Sequence, residues 1–355
     1  MPRGRPPISR GVEQRFFEKR PVTNKRIISS GTRGRSAETT AYDDALRQRH
    51  VNGKIETKFG TIVKERTITL GEEPFTYSYI DPFALLHECN ISSGAGASRY
   101  KEWLGSGTNK LAWHIDEARL GNALRPDAGR GFTQIIWTSL NLPEWFRCRR
   151  HGWFPFTVVP SKHCAQADTS VLVADMIQVF FASGEAAGYN FADGIELTYN
   201  GQTYTVTAEA GALVADGKAL KEVLCAMGAS GLNCCVSCTN VLNCEPHKIP
   251  PEGDRVHYTC SDPSLCIRHT HASMCEWADA VLEGQEALNV GQLKELQTLT
   301  GLHYIEGGLI WDPVARLHID FGTFPYHDAM HALEASGGIA QYQLNVFVHN
   351  ITWGV

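Results

Sequence analysis

The sequence of 355 residues lacks the motifs and long apolar runs that identify several protein classes directly. It has no uninterrupted apolar run of about eighteen residues, so we expect no membrane-spanning helix. It has neither a Gly-x4-Gly-Lys-Ser/Thr loop nor a Gly-x-Ser-x-Gly turn, so nothing indicates a P-loop nucleoside triphosphatase or a serine hydrolase. Its first residues carry no apolar segment of the secretory type, and we therefore expect an environment in which cysteines stay reduced.

Charge is distributed unevenly along the chain. The formal net charge is −5, but residues 1–36 hold ten Lys and Arg against two acids, a local balance of +8. The rest of the chain therefore carries −13, since 23 basic and 36 acidic residues remain. With 43% hydrophobic and 20% charged residues, the composition is that of a globular protein with one large domain or two ordinary ones.

The basic amino-terminal segment, residues 1–40, is predicted to be a disordered, solvated arm. It contains Pro, Gly and Ser and shows no apolar periodicity. Three interpretations remain open: a polyanion-binding or nuclear-entry tail, because clustered cations release counterions from a phosphate backbone; an organelle transit peptide, since the segment is rich in Arg and poor in acids; or a charged leader without function. Its cations are Arg3, Arg5, Arg10, Arg15, Lys19, Arg20, Lys25, Arg26, Arg33 and Arg35.

The order of elements from residue 109 onward predicts an α/β fold. Three aromatic and β-branched runs are predicted strands, and a run with apolar residues every three or four positions is a predicted helix. Asn200-Gly201 lies between two alternating runs and predicts a hairpin, because a type I′ turn needs two left-handed residues. A ribonuclease-H-like mixed sheet with flanking helices has this order of elements. The predicted bounds are 110–117, 131–142 and 152–160 for the strands, 168–181 for the helix, 195–207 for the hairpin, 211–216 for a fourth strand and 218–227 for the next helix.

Two aspartates occupy the strand positions at which that fold holds its metal ions. Asp116 lies on the first predicted strand and Asp216 ends the fourth, with Glu117 a weaker candidate. Phosphoryl transfer without a covalent intermediate uses two divalent cations, and Mg²⁺ or Mn²⁺ prefers carboxylate oxygens. The simpler alternative is that these acids only face solvent at the ends of strands.

Three segments resemble transposon-encoded transposases with a ribonuclease-H-like core. The similarity is to CACTA/hAT-like eukaryotic elements, especially transposon-derived open reading frames of dinoflagellate algae, and it extends over roughly residues 75–355. It implies a DNA-binding protein that cleaves phosphodiester bonds and transfers strands at transposon ends or targets, in the nucleus or alternatively the cytoplasm, with a possible homo-oligomer. The segments are 113–124 (WHIDEARLGNAL), 214–238 (VADGKALKEVLCAMGASGLNCCVSC) and 307–331 (GGLIWDPVARLHIDFGTFPYHDAMH).

The chain departs from the family pattern at the third acidic position. The resemblance implies a glutamate on the helix after the Met-His block, and this position falls on Gln343. A neutral amide does not neutralise the cations, so we expect impaired catalysis unless Asp328 or Glu334 substitutes. The alternative function is a non-catalytic, zinc-stabilised nucleic-acid-binding module. A small metalloprotein unrelated to nucleic acids is a third interpretation.

Cysteine is concentrated in one stretch of the sequence. Seven of the eleven cysteines lie within 42 residues, together with several histidines, which favours zinc over disulfides in a reducing environment. Cys235-x2-Cys238 can supply two thiolates to one structural Zn²⁺. The second ligand pair lies among His257, Cys260, Cys266, His269 and His271, and the resemblance favours His257 or Cys260 together with His269. Reduced thiols without a metal are the alternative.

The tryptophans are assigned to core packing rather than to base stacking, since most lie on predicted strands.

The sequence thus predicts five parts. The parts are a basic arm (1–40), a mixed segment (41–108), the first part of the ribonuclease-H-like core (109–232), a Cys/His zinc insertion (233–277) and a C-terminal helical part (278–355).

Overall fold

The computed structural model describes residues 55–70, 73–92, 97–119, 131–148, 152–161, 164, 168–183, 188–244 and 255–328. The chain divides into two compact units, residues 1–55 and 56–355, and the fold below is that of the second. The predicted basic arm lies outside the described residues, as do Glu334 and Gln343.

The second unit is built on a mixed eight-stranded sheet, which confirms the predicted α/β class with flanking helices. Its strand order is β12-β9-β5-β6-β7-β4-β3, and β8 pairs with β9 beside this path. The neighbours from β5 through β6, β7 and β4 to β3 are antiparallel, whereas β5–β9 and β9–β12 are parallel. These strands are β3 Val63–Leu70, β4 Glu73–Ile80, β5 Thr108–Arg119, β6 Gly131–Ser139, β7 Phe154–Pro160, β8 Ile195–Tyr199, β9 Gln202–Ala215 and β12 Pro325–His327.

Two short strand pairs, eight α-helices and three 3-10 helices (Gly228–Ser230, Pro263–Leu265 and Leu309–Trp311) complete the described secondary structure. The antiparallel pair is β1 Glu56–Thr57 with β2 Gly60–Thr61, and the parallel pair is β10 Val241–Leu242 with β11 Val256–His257. The helices are α1 Pro82–Ser92, α2 Ala97–Leu104, α3 Glu144–Arg147, α4 Thr169–Phe181, α5 Gly217–Val223, α6 His271–Ala287, α7 Val290–Thr300 and α8 Pro313–His318. In the described part of the chain, no helix has the length and apolar character needed to cross a bilayer.

The core forms where α4 packs on the central strands. Ten of the thirteen α4 residues are buried, as expected for a helix with apolar residues on most of its surface. Trp113 on β5 and Trp137 on β6 are 0% and 1% exposed, and each ring centroid lies 5.4 Å from that of Phe180 on α4. The prediction of core packing is therefore confirmed for these two tryptophans. Trp145, which is 49% exposed, does not follow it.

The predicted hairpin and the predicted fourth strand are parts of one continuous strand. The turn is as predicted, because Asn200 and Gly201 both have positive φ, at 49° and 72°. The second hairpin strand does not stop at residue 207, however, but continues to Ala215 as β9. The register against β5 shifts by one residue at Gly211, which is a β-bulge. A Cβ atom at position 211 would lie 2.9 Å from the Leu111 carbonyl oxygen, so glycine permits this close approach.

The C-terminal part, predicted as helical, also supplies a strand. β12 has only three residues and pairs in parallel with β9 from Pro325↔Leu213 to His327↔Ala215. A run this short gives no detectable alternation in the sequence. The strand matters because it brings residue 328 to the edge of the sheet where β5 and β9 end.

A partly buried ion pair connects the β3–β4 hairpin to α4. The Arg66 guanidinium on β3 donates two hydrogen bonds to Asp175 on α4 through Nε, at 2.8 and 3.0 Å, and a third through Nη2, at 2.6 Å. The Tyr77 hydroxyl on β4 donates to the same carboxylate at 2.5 Å. Burial and the Asp175 charge raise the Tyr77 pKa well above its ordinary value.

Candidate functional site

Three aspartates lie on three neighbouring parallel strands at the point where the parallel pairing ends, although β5 itself continues to Arg119 beside β6. The β5–β9 pairing ends at Ile115↔Ala215, and the β12–β9 pairing ends at His327↔Ala215. The next residues along these strands are Asp116, Asp216 and Asp328. The backbone N–H of Asp328 donates to the Ala215 carbonyl at 2.8 Å, which extends the β12 pairing by one residue. Two aspartates predicted from the sequence are therefore joined at this edge by Asp328.

Asp216 serves as the N-cap of α5. Its Oδ1 accepts a hydrogen bond from the Ala219 N–H at 2.6 Å, and its backbone is extended, with φ −66° and ψ 165°. A cap of this kind satisfies one of the free N–H groups of the first helical turn. It uses one carboxylate oxygen, and the residue remains half-buried at the edge of the sheet.

His114 belongs to the same face, although it is not among the predicted site residues. It lies two residues before Asp116 on β5, so the two side chains share one face of the sheet. Its Nε2 lies 3.5 Å from Oδ2 of Asp328, and the two side chains are only 22% and 17% exposed. Its Nδ1 is buried and makes no hydrogen bond within the described residues. The contact between His114 and Asp328 links β5 to the residue after β12, across β9.

A large cleft lined by described residues opens on the opposite face of the sheet. Its volume is about 540 Å³, and Glu117, rather than Asp116, lines it. This follows from strand geometry, because successive side chains alternate between faces. In open α/β sheets ligands usually bind in the crevice outside the carboxyl ends of the strands. Polar and charged lining residues include Glu117, Ser161, Asp168, Lys218, Lys221 and Glu222.

Ion pairs and a glycine determine the shape of this cleft. Nζ of Lys218 lies 3.8 Å from Glu117 and 3.5 Å from Glu222, and all three side chains are exposed enough for the pairs to be weak. A Cβ atom at Gly131 would lie 2.8 Å from both Glu117 Oε1 and Ser161 Oγ, so glycine keeps this end of the cleft open. The Ser161 hydroxyl is buried and makes no hydrogen bond within the described residues.

Within the described ranges, no group of three or more His, Cys, Asp or Glu side chains is arranged to hold a metal ion. The aspartates are thus neighbours through the register of their strands, without converging on one point. The metal roles of Asp116, Asp216 and Asp328 stay predictions. The position of the expected glutamate, Gln343, lies outside the described residues.

The contacts in the Cys/His segment divide the predicted zinc ligands into two groups. Burial and the neighbouring thiols of Cys235 and Cys266 raise the pKa of Cys238 to about 12, while Arg268 acts in the opposite direction. Cys238 is buried, with 6% of its surface exposed. His269 is 5% exposed and lines the same small cavity as Cys235.

The other two predicted ligands, His257 and Cys260, make their side-chain contacts inside their own turn. The His257 Nδ1 lies 2.6 Å from the Thr259 hydroxyl, and the Cys260 thiol donates to the Asp262 carbonyl at 3.7 Å. Cys260 is also exposed to solvent. Backbone hydrogen bonds pair residues 237–239 with 267–269, so the segment that begins at Cys266, a candidate that the family resemblance did not favour, lies beside the Cys235–Cys238 turn.

No protein-family model matches the chain, and no curated protein is significantly similar to it in sequence. Its function therefore has to be inferred from the strand ends, the cleft and the Cys/His segment themselves.

Proposed function

We propose that the chain is a transposase-like protein with a ribonuclease-H-like core that binds DNA and, when competent, cleaves phosphodiester bonds and transfers strands with the help of divalent cations. The observation that carries the proposal is the placement of Asp116, Asp216 and Asp328 directly after the last paired residues of three adjacent parallel strands. The DNA would be a transposon end or a target, and the proposed location is the nucleus, with the cytoplasm as the alternative.

The sheet topology supports the ribonuclease-H-like assignment. Taken in chain order, β5, β6 and β7 form an antiparallel meander, and β9 then returns beside β5 and parallel to it. Helix α4 and strand β8 lie between β7 and β9 in the chain, and β12 lies on the far side of β9 in the same direction. The spatial order, fifth-fourth-first-second-third, is that of a ribonuclease-H-like sheet. The β3–β4 hairpin extends it beyond β7.

The third strand end supports the metal-site proposal. Bound Mg²⁺ or Mn²⁺ would activate the attacking oxygen and stabilise the leaving oxygen of a phosphodiester. Asp116 and Asp216 would hold the cations, and Asp328 would supply the third carboxylate from the sheet itself. The proposal therefore does not depend on Gln343. His114 would orient Asp328 through the 3.5 Å contact.

Charge supports DNA as the partner. Residues 1–36 carry a balance of +8, which favours a phosphate backbone as ligand. Assembly of two copies on two DNA ends is the form of homo-oligomer that such a reaction would require, and it is part of the same proposal.

The runner-up is a zinc-stabilised module that binds nucleic acid without cutting it. It is favoured by the present contacts of two aspartates. Asp216 caps α5 and Asp328 contacts His114, and both arrangements need no metal ion.

Nicking of supercoiled DNA in the presence of Mn²⁺ distinguishes these functions. Asp216→Asn removes the charge but keeps a good N-cap, since Asn and Asp cap helices equally well. We expect nicking to fall by about a hundredfold or more, because metal-assisted stabilisation contributes several kcal/mol. The control is Glu209→Gln, an exposed acid on β9 away from the carboxyl end.

Unchanged nicking by Asp216→Asn would contradict the catalytic proposal. Salt-sensitive DNA binding without nicking by the unaltered protein would establish the runner-up.

A further inference from the structure

Two short turns in the Cys/His segment have the same ligand spacing and face each other. One is Cys235-Val-Ser-Cys238, and the other is Cys266-Ile-Arg-His269. Cys238 and Arg268 form an antiparallel bridge. The His269 N–H donates to the Ser237 carbonyl at 3.0 Å, and the Thr239 N–H donates to the Ile267 carbonyl at 2.8 Å. Backbone hydrogen bonds therefore fix the two turns opposite each other.

Asn240 strengthens this pairing from the side. Its side-chain amide donates to the Leu265 carbonyl at 2.8 Å, and its Oδ1 accepts from the Ile267 N–H at 2.8 Å. Asn240 is 6% exposed, so these bonds are shielded from water. The paired turns are thus a defined structure in spite of their lack of regular secondary structure.

The two turns together supply four candidate ligands. The charges of the Cys235 and Cys266 thiols both act on Cys238. Cys235 and His269 line one small cavity, together with Met274 and Trp277 of α6. Each turn therefore contributes two candidates, although the four side chains are not arranged around one point within the described residues.

His269 has the surroundings of a metal-binding imidazole. Its Nδ1 lies 3.1 Å from the Ser273 hydroxyl, and its ring packs edge-on against Trp277 with a centroid distance of 4.8 Å. Its Nε2 makes no hydrogen bond to any described residue. Metal-bound histidines usually use one ring nitrogen for the metal and the other for a hydrogen bond that fixes the ring.

We propose that Cys235, Cys238, Cys266 and His269 are the four ligands of one structural zinc ion. Three thiolates and one neutral imidazole form a closed tetrahedral site without an open position for a substrate. Binding would release the three thiol protons to solvent, and the site would carry a charge of about −1, close to the Arg268 cation. The backbone pairing already sets the two turns opposite each other, and zinc binding would require the four side chains to turn towards one another, because they do not form a metal cluster within the described residues.

The proposed ion would attach the first turn to the beginning of α6. The residue after His269 is Thr270, whose hydroxyl accepts the Ser273 N–H at 3.1 Å in a capping box. The proposed zinc ion, the backbone pairing of the two turns and the capping box of α6 therefore involve one continuous short segment that ends in the first turn of α6. This inference is independent of the nuclease proposal, because it requires no DNA and no carboxylate.

Metal analysis of purified protein tests the ligand set. We expect about one zinc per chain. Cys238→Ser and Cys266→Ser should each abolish stoichiometric binding, whereas the matched controls Cys260→Ser and His257→Asn should keep it. Zinc X-ray absorption of the unaltered protein should show three sulfur ligands and one nitrogen ligand. Protein without zinc after expression in zinc-supplied medium, or retention of zinc by Cys266→Ser together with its loss from Cys260→Ser, would overturn the proposal.

A ligand exchange covers the case in which the serine variants fail to fold. Cys266→His keeps a metal-binding group, so it should retain zinc with two sulfur and two nitrogen ligands. Cys260→His should leave three sulfur ligands. An unchanged sulfur count in Cys266→His would show that Cys266 is not a ligand.

Discussion

The strand-end aspartates and the Cys/His turns are positioned by different forces. Asp116 and Asp216 follow Ile115 and Ala215, the last residues of the β5–β9 pairing, which are 2% and 0% exposed, so the hydrophobic core places the two aspartates. The two Cys/His turns have few buried apolar side chains of their own, such as Val236 and Leu242, and are held by backbone bonds between short segments. The first region should therefore keep its structure without a metal, whereas the second should depend on one.

Removal of zinc should separate the two regions most strongly. A structural zinc ion contributes about 10 kcal/mol or more to the folding of a small domain. We expect a chelator to remove hydrogen-exchange protection from residues 233–270 and to leave residues 108–118 protected. Equal loss of protection in both ranges would show that the core also depends on the metal, and no loss in either would exclude a structural role.

Truncation of Phe180 should affect the regions in the reverse order. The side chain is 0% exposed and contacts both Trp113 and Trp137, so Phe180→Ala leaves a cavity under the central strands. We expect a loss of about 4 kcal/mol in the free energy of unfolding, measured with urea. Zinc stoichiometry of the folded fraction should not change. Val290→Ala, at an 85% exposed apolar residue, is the control and should be nearly neutral.

Loss of the Arg66–Asp175 pair should have a smaller effect, confined to the sheet region. Asp175→Asn removes the charge that accepts from both Arg66 and the Tyr77 hydroxyl. Since Arg66 is 35% exposed, solvent screens part of the loss, and we expect about 2 kcal/mol in the urea measurement. The Glu65→Gln variant, at an exposed neighbour of Arg66 on β3, should change stability little. An unchanged free energy of unfolding in Asp175→Asn would show that the pair does not stabilise the contact between the β3–β4 hairpin and α4.

The smallest effect is expected at the β-bulge. Gly211→Ala places a methyl group 2.9 Å from the Leu111 carbonyl oxygen, so β5 and β9 must shift slightly apart. We expect a loss of about 1–2 kcal/mol. If the bulge also sets the register of Asp116 and Asp216, Mn²⁺-dependent nicking should fall by more than the loss of folded protein accounts for. Full nicking activity in a destabilised variant would show that the bulge does not position the two aspartates.

Much of the core could be predicted from local signals, whereas the complete strand-end site could not. Aromatic and β-branched runs predict β5, β6 and β7, and apolar residues at every third or fourth position predict α4. Asn200-Gly201 was predicted because few dipeptides tolerate its turn. β12 has three residues and no such period, so neither the strand nor the position of Asp328 could be derived from the sequence.

Two further residues show why spacing alone was insufficient. His114 stands two positions before Asp116, a same-face spacing that could have identified it, but its contact with Asp328 depends on the tertiary pairing of β12. Cys260 and Cys266 are both at plausible distances from Cys238 along the chain. Only the backbone pairing of residues 237–239 with 267–269 separates them.

Anomalous X-ray diffraction from crystals grown with Mn²⁺ tests the strand-end account most directly. The account predicts a manganese peak bonded to carboxylate oxygens of Asp116 and Asp216, which disappears in Asp216→Asn. Crystals saturated with Mn²⁺ that show no peak at the strand ends, or show one only at Glu117 in the opposite cleft, would contradict it.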